Sequence, residues 1–338
     1  MKKIIALIVI ILLFTGCTKY TEINNLAIVD MILLEKQEDQ YILNITTVKG
    51  QKEENDTGIK HQTYKIEGKS LGEAFNKAEQ LDNKKTYYEH LALIIIHDSL
   101  LQEDAINILD FIKNQFPKTN YLVLGTTSST TTLISNQFKG HQDIEKFIKK
   151  EQLENATIAP LTFDQIYKAT LDKEHDSFIP MIRYQKETLS VAGIKVLKNN
   201  TLYDQNMSKI NYLLNNNINQ IPMTLEKDNK SYFIDFNHLN VITSFRKDTF
   251  DIIITGDLQS SDVTKKEQEE MEALLKEQLK KEITTFIEME QKESISTTNL
   301  KNLVYLKMGN KEKLDTTYQK SKLNIKINTT WKGETIDD

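Results

Sequence analysis

Leu91-Ala92-Leu93-Ile94-Ile95-Ile96-His97-Asp98-Ser99 is the stretch on which the fold turns. Six apolar residues in a row, bounded by His90 and by His97-Asp98, read as a strand buried on both faces. Ser99 with Gln102 three residues on is a helix-start signature, and Ala105, Ile108, Leu109 and Ile112 then recur on one helical face. Pro117 breaks the chain, and Tyr121 to Leu124 is apolar again. Strand, helix and strand at this spacing predict a βαβ unit with two parallel strands.

Working back toward the N-terminus, Ser70 with Glu73 is a capping box, followed by Leu71, Ala74, Phe75, Ala78 and Leu81 at helical spacing. Tyr64 to Ile66 reads as a strand, and Lys49 to Lys60 as a charged loop. Leu26 to Val29 with Met31 to Leu34 form a buried strand paired with Tyr41 to Val48 around the turn Gln37-Glu38-Asp39. Toward the C-terminus, residues 139–187 read as two charged helices carrying Ile144, Phe147 and Ile148, then Phe163, Ile166, Tyr167 and Leu171. Pro160 separates them, and Pro180 is expected to end the second. Leu189 to Leu197 is strand-like with a turn at Asn199-Asn200, and Tyr232 to Leu258 is rich in strand formers. Thr264 with Glu267 is expected to cap the longest helix, 264–291, whose stripe is Met271, Leu274, Leu275, Leu279, Ile283, Phe286 and Ile287. A last strand alternates Leu323, Ile325 and Ile327.

Lys2 and Lys3 precede an unbroken apolar run, Ile4 to Phe14, and Thr15-Gly16-Cys17 follows before the chain turns polar. A charged start, a short apolar core and small residues at the cut make a secretory signal peptide, and the run is shorter than the roughly 20 residues a spanning helix needs. The Gly-Cys ending resembles the lipobox of bacterial lipoproteins, with Phe14 where Leu is usual. Cys17 is thus the expected lipid attachment site, on a chain whose residues 1–16 are removed. The plain alternative is an ordinary secretory signal with an incidental cysteine; the place and uniqueness of Cys17 favour the lipobox. A lone cysteine forms no intramolecular disulfide and no thiolate metal cluster.

The remaining chain of roughly 320 residues calls for two or three domains. Composition shifts suggest boundaries near 138 and 222, giving an N-terminal α/β part (17–138), a partly helical middle (139–222) and a C-terminal sheet with the long helix (223–338). The net charge is −5, and −7 once Lys2 and Lys3 are gone. That argues against a nucleic-acid partner, whose phosphates need a basic face.

The sequence carries no Gly-x-Ser-x-Gly, His-Glu-x-x-His or Walker loop. Ser244-Phe245-Arg246-Lys247 matches Ser-x-x-Lys, but among strands and without a Lys-Thr-Gly. The six histidines show no paired ligand spacing, and His175-Asp176 with Asp172 reads as surface charge before it reads as a cation site. The expectation is a non-catalytic protein with no catalytic residues, no cofactor and no metal.

Four ordered stretches resemble the Ger(x)C family of spore germination lipoproteins: Glu22-Ile23-Asn24-Asn25-Leu26-Ala27-Ile28-Val29 soon after Cys17; Glu67-Gly68-Lys69-Ser70-Leu71; Tyr88-Glu89-His90-Leu91 with Leu109-Asp110-Phe111; and Val191-Ala192-Gly193-Ile194-Lys195-Val196-Leu197-Lys198-Asn199-Asn200. Thr18-Lys19 replaces the family's Trp-Asp, and residues 292–321 align poorly with it. The resemblance implies an α+β, multi-domain fold of mixed sheets flanked by helices. It also implies the C subunit of a nutrient germinant receptor, held by lipid on the outer face of the spore's inner membrane beside membrane-spanning A and B subunits. The alternative is a solute-binding lipoprotein of an ABC importer, which would carry βαβ units in both halves and a hinge.

Overall fold

The structure is a computed structural model that describes residues 25–50, 59–116, 118–135, 140–172, 175–309 and 312–332. The signal segment, Cys17 and Pro117 lie outside the described residues.

The expected βαβ unit is the centre of a ten-stranded mixed sheet. Strand β1 (Leu26–Gln37) and β6 (Leu93–His97) run parallel, and β6 pairs in parallel with β7 (Leu122–Thr126) across α2 (Asp98–Gln115). On one side β1 continues antiparallel into β2 (Gln40–Gly50) and β3 (Ile59–Gly68). On the other, β7 meets β8 (Phe178–Gln185) in parallel, and β9 (Thr188–Val196) and β10 (Thr201–Tyr203) follow antiparallel. Two short strands, β4 (Gln80–Leu81) and β5 (Lys84–Tyr87), lie at the start of β1.

Both faces of the central strands are covered, which is why Leu93 to Ile96 has no polar alternation: all four residues are fully buried. One face of β1 offers Ile32 and Leu34 to α1 (Leu71–Lys77), α2 and α5 (Phe163–Leu171); the other offers Met31 and Leu33 to α3 (Thr130–Ser135) and α4 (His141–Glu154). Ser70 caps α1 as the sequence indicates, its Oγ accepting the Glu73 N–H at 3.1 Å, but the return bond of the expected box is displaced: Glu73 Oε2 accepts the N–H of Lys69, one residue before the cap, at 2.9 Å.

Three local expectations are corrected. Helix α2 begins at Asp98, capped by the His97 ring, which accepts the Ser99 N–H at 3.1 Å. Ser99 Oγ instead bonds both backbone groups of Lys36, tying the helix start to β1. Pro180 does not end a helix: α5 stops at Leu171, and Pro180 lies inside β8. It sits just below the two-residue ladder with β7 (Gly125 to Met181, Thr126 to Ile182), where a missing N–H interrupts nothing on that side. The longest helix, α7 (Gln268–Glu293), starts four residues later than expected. Thr264 and Glu267 do bond to each other, N–H and Oγ1 to Oε2 at 3.0 and 2.8 Å, but they close the turn before the helix.

Helix α6 (Gln205–Leu214) leads to a four-stranded sheet, β11 (Gln220–Lys227), β12 (Lys230–Arg246), β13 (Thr249–Gln259) and β14 (Lys322–Trp331). β14 joins β13 in parallel after a crossover through α7, α8 (Leu300–Met308) and α9 (Leu314–Lys320). Met271, Leu275, Leu279, Ile283, Phe286 and Ile287, one stripe of α7, are fully buried in one apolar core with Ile221, Ile234, Phe236, Phe250, Ile252 and Ile254 of the sheet. That core is continuous with the one under the first sheet through Ile210, Tyr212 and Leu213 of α6. The fold is α+β, sheets flanked by helices. Strands from both sides of residue 138 join the first sheet, and residue 222 lies within β11.

Candidate functional site

Among the described residues, no group of three or more His, Cys, Asp or Glu side chains is placed to hold a metal ion, and no helix is long and apolar enough to cross a membrane. Chemistry-bearing side chains are instead spent on joining distant parts of the chain.

The first junction is on β1. A bulge between Val29 and Met31 turns Asp30 out of the regular alternation. Its carboxylate accepts the His141 N–H at 3.0 Å (Oδ2) and lies 2.5 Å from His141 Nδ1 (Oδ1), with His61 Nδ1 at 3.8 Å. The cap position of α4 is Gly140, which has no side chain to offer, and a Cβ there would collide with the His61 ring at 2.3 Å. Asp30 therefore supplies from another strand what Ser or Asp supplies at an ordinary helix start. Glu35, at the far end of β1, does the same for α3. It accepts from Thr130 N (2.9 Å), Thr130 Oγ1 (2.6 Å), Ser129 Oγ (3.4 Å) and Gln37 Nε2 (3.0 Å). Burial alone pushes the Glu35 carboxyl up, but the donors of Thr130 and Gln37 outweigh it and hold it below the ordinary carboxylate value.

The second junction lies between the sheets. Glu290, in the last turns of α7, is fully buried and accepts from Thr297 N (2.6 Å), Thr297 Oγ1, Thr298 Oγ1 (3.0 Å) and Tyr318 OH (3.3 Å). Burial is the largest influence on its carboxyl and raises it to about 7, against these four donors. Asn211 of α6 reaches the same Thr297 side chain. Asp176, offered by the sequence as a surface charge, accepts the Ser296 N–H at 2.7 Å and pairs with Lys198 at 3.3 Å. It belongs to this junction. His175 beside it borders a cleft with Ile106, Leu197 and Asp172, and burial holds its imidazole below the ordinary value.

Cys17, the one site residue the sequence names, lies outside the described residues. Asp30, Glu35 and Glu290 escape sequence reasoning because each acts on a partner remote in the chain or on a loop with no motif. The signal that could have found Glu290 is an acid on the apolar stripe of α7, three residues beyond Ile287.

The chain is similar to known spore germination proteins. Residues 19–184 match the family described as "Spore germination protein N-terminal domain". Putative spore germination protein YfkR of Bacillus subtilis (strain 168) is 21% identical over 263 residues, 68% of each chain. Spore germination protein KC of the same organism is 27% identical over 110 residues, 30% of this chain and 26% of that one. Among solved structures, the crystal structure of the GerBC protein shares the fold at a TM-score of 0.55 and 14% identity, covering 89% of this chain and 97% of that one. The chain belongs to the Ger(x)C family of spore germination proteins.

Proposed function

We propose that this protein is the lipid-anchored C subunit of a nutrient germinant receptor in a spore, acting through protein–protein contacts and without catalysis. The observation that carries the reading is the family match over residues 19–184, directly behind an apolar run ending in Gly16-Cys17. Diacylglycerol on Cys17 would hold the body at the outer face of the spore's inner membrane, since two acyl chains anchor stably where one does not. β1 begins at Leu26, so the tether between anchor and first strand is short. The partners in this reading are the membrane-spanning A and B subunits. The ABC-importer alternative draws no support from the fold, whose second sheet is an antiparallel meander with one parallel strand added.

The test is Cys17→Ala at the native locus. Membrane fractions should lose the protein and nutrient-triggered germination should fall, while germination by a trigger that bypasses nutrient receptors stays normal. A variant that remains in the membrane fraction with normal nutrient germination removes the reading.

A further inference from the structure

Two short basic segments, far apart in sequence, meet at one end of the second sheet. Arg246-Lys247 opens the β12–β13 turn, and Lys320-Ser321-Lys322 joins α9 to β14. The parallel ladder places Lys322 opposite Thr249, and the Lys322 N–H donates to the Asp248 carbonyl at 2.9 Å, which fixes the two segments side by side. Between them is a cleft of about 390 Å³ whose walls carry Lys247, Lys320, Lys322, Thr316 and Thr317. Asp248 is the one carboxylate in its lining, and none of the three lysines has an ion-pair partner among the described residues.

Lysines near a helix C-terminus ordinarily serve its unpaired carbonyls. At α9 the Thr317 and Tyr318 carbonyls already have other donors. The Thr317 carbonyl accepts from Ser321 Oγ at 2.5 Å, and the Tyr318 carbonyl from Gln291 Nε2 at 2.8 Å and Ser321 N at 3.2 Å. The Ser321 carbonyl also accepts from Gln291 Nε2, at 3.1 Å. The ammonium groups are left over. Nor do they reflect a generally basic protein, because the chain is net acidic. Like charges held within a Debye length of about 8–10 Å repel one another, and an anion shared among them removes that penalty.

We propose that this cleft binds a phosphate-type polyanionic group. Lysine is a flexible point charge suited to a tetrahedral, multiply charged anion, whereas a planar carboxylate is better met by the fork of an arginine. Thr316 and Thr317 add hydroxyls at the wall. Such a group can arrive on a free phosphate compound or on an anionic lipid headgroup, and the two sources share this chemistry. The site does not depend on acylation at Cys17 or on receptor membership.

The full-length chain carrying Cys17→Ala, without acyl groups, is compared with the same chain carrying also Lys247→Gln, Lys320→Gln and Lys322→Gln. Thermal unfolding is followed in chloride and in pyrophosphate at matched ionic strength. All three side chains are exposed, so both chains should melt alike in chloride; should the triple variant melt lower, the single Lys320→Gln chain takes its place. Pyrophosphate should raise the Tm of the parent, with its Kd weakened about tenfold for each lysine removed. A pyrophosphate effect absent from both chains, or equal in both, overturns the proposal. Flotation with phosphatidylglycerol–phosphatidylcholine vesicles, against phosphatidylcholine alone, identifies the source. Binding that needs phosphatidylglycerol and falls about fivefold per lysine removed assigns a lipid headgroup. Pyrophosphate stabilisation without that preference assigns a free phosphate compound.

Discussion

The Asp30 carboxylate, displaced from β1 by a bulge, accepts the backbone N–H of His141 at 3.0 Å and so caps helix α4 from a strand more than a hundred positions earlier in the chain. Gly140 at the cap position has no side chain to act as acceptor, and a charged acceptor at the positive end of the helix dipole is worth more than a neutral one.

Asp30→Ala should therefore lower the unfolding free energy by about 2 kcal/mol, and Asp30→Asn by less, because an amide oxygen still accepts the N–H. Denaturant unfolding gives the totals, and hydrogen exchange should show the loss concentrated in the first turn of α4. An Asp30→Ala chain as stable as its parent would show that the cap contributes nothing.

Glu290 ties the stability of the sheet junction to pH. Its carboxyl sits at about 7 in the folded chain because it is buried, against an ordinary 4.5. Between those values the folded protein holds a proton that the unfolded chain has released. Unfolding free energy should fall as pH rises from about 4.5 to about 7 and then level off, by on the order of 3 kcal/mol in total. Glu290→Gln, which keeps an acceptor for Thr297, should flatten that slope; Glu290→Leu should destabilise at every pH by stranding the donors of Thr297 and Tyr318. An unchanged slope in Glu290→Gln would mean that another group carries it.

Lys195 of β9 is 3% exposed and its ammonium lies 3.0 Å from Asp98 Oδ1 at the start of α2, an ion pair by distance without an aligned hydrogen bond at that oxygen. Removing the acid leaves a buried, uncompensated cation, while removing the lysine leaves a carboxylate that is 15% exposed and still bonded to Gln102. Asp98→Ala should cost about 3–5 kcal/mol, and Lys195→Met clearly less. The double variant should fall well short of the sum. Equal losses from the two single variants would contradict this asymmetry.

Gly193 sits in β9 at φ +106, where the ladder with β8 shifts register, and a Cβ there would lie 1.6 Å from the Tyr203 carbonyl of β10. Both the dihedral and the close strand demand glycine. Gly193→Ala should displace β10 and lower stability by at least about 3 kcal/mol, seen as a reduced yield of folded protein and a lower Tm. Gly72→Ala, where the nearest atom is Ser70 Oγ at 3.9 Å, serves as the tolerant control.

Elements whose cause is local were legible. The apolar run Leu93 to Ile96, the Ser70 cap and the stripe of α7 follow from spacing alone, and the structure has all three. Where the reading slipped, a neighbour outside the window decided. Ser99 leaves its capping role to bond Lys36 on another strand, and α2 breaks at Asp104, whose carboxylate accepts the Asn107 N–H at 3.3 Å and restarts the helix. Pro180 looks like a helix terminator until β7 is seen to pair with β8 only beyond it.

By itself the sequence determined the βαβ unit, the first helix after Ser70, the long apolar-striped helix and the resemblance to Ger(x)C proteins, and it alone speaks for Cys17; α6, α8 and α9 it did not single out. These are properties of contiguous residues, because periodicity, caps and export signals are read by the chain's immediate surroundings. Only the tertiary structure decided which acids became fasteners and which lysines were left without partners. A charge is costly or useful according to what surrounds it in space, and at Asp30, Glu290 and Lys322 those surroundings come from segments that meet only when the sheets have formed.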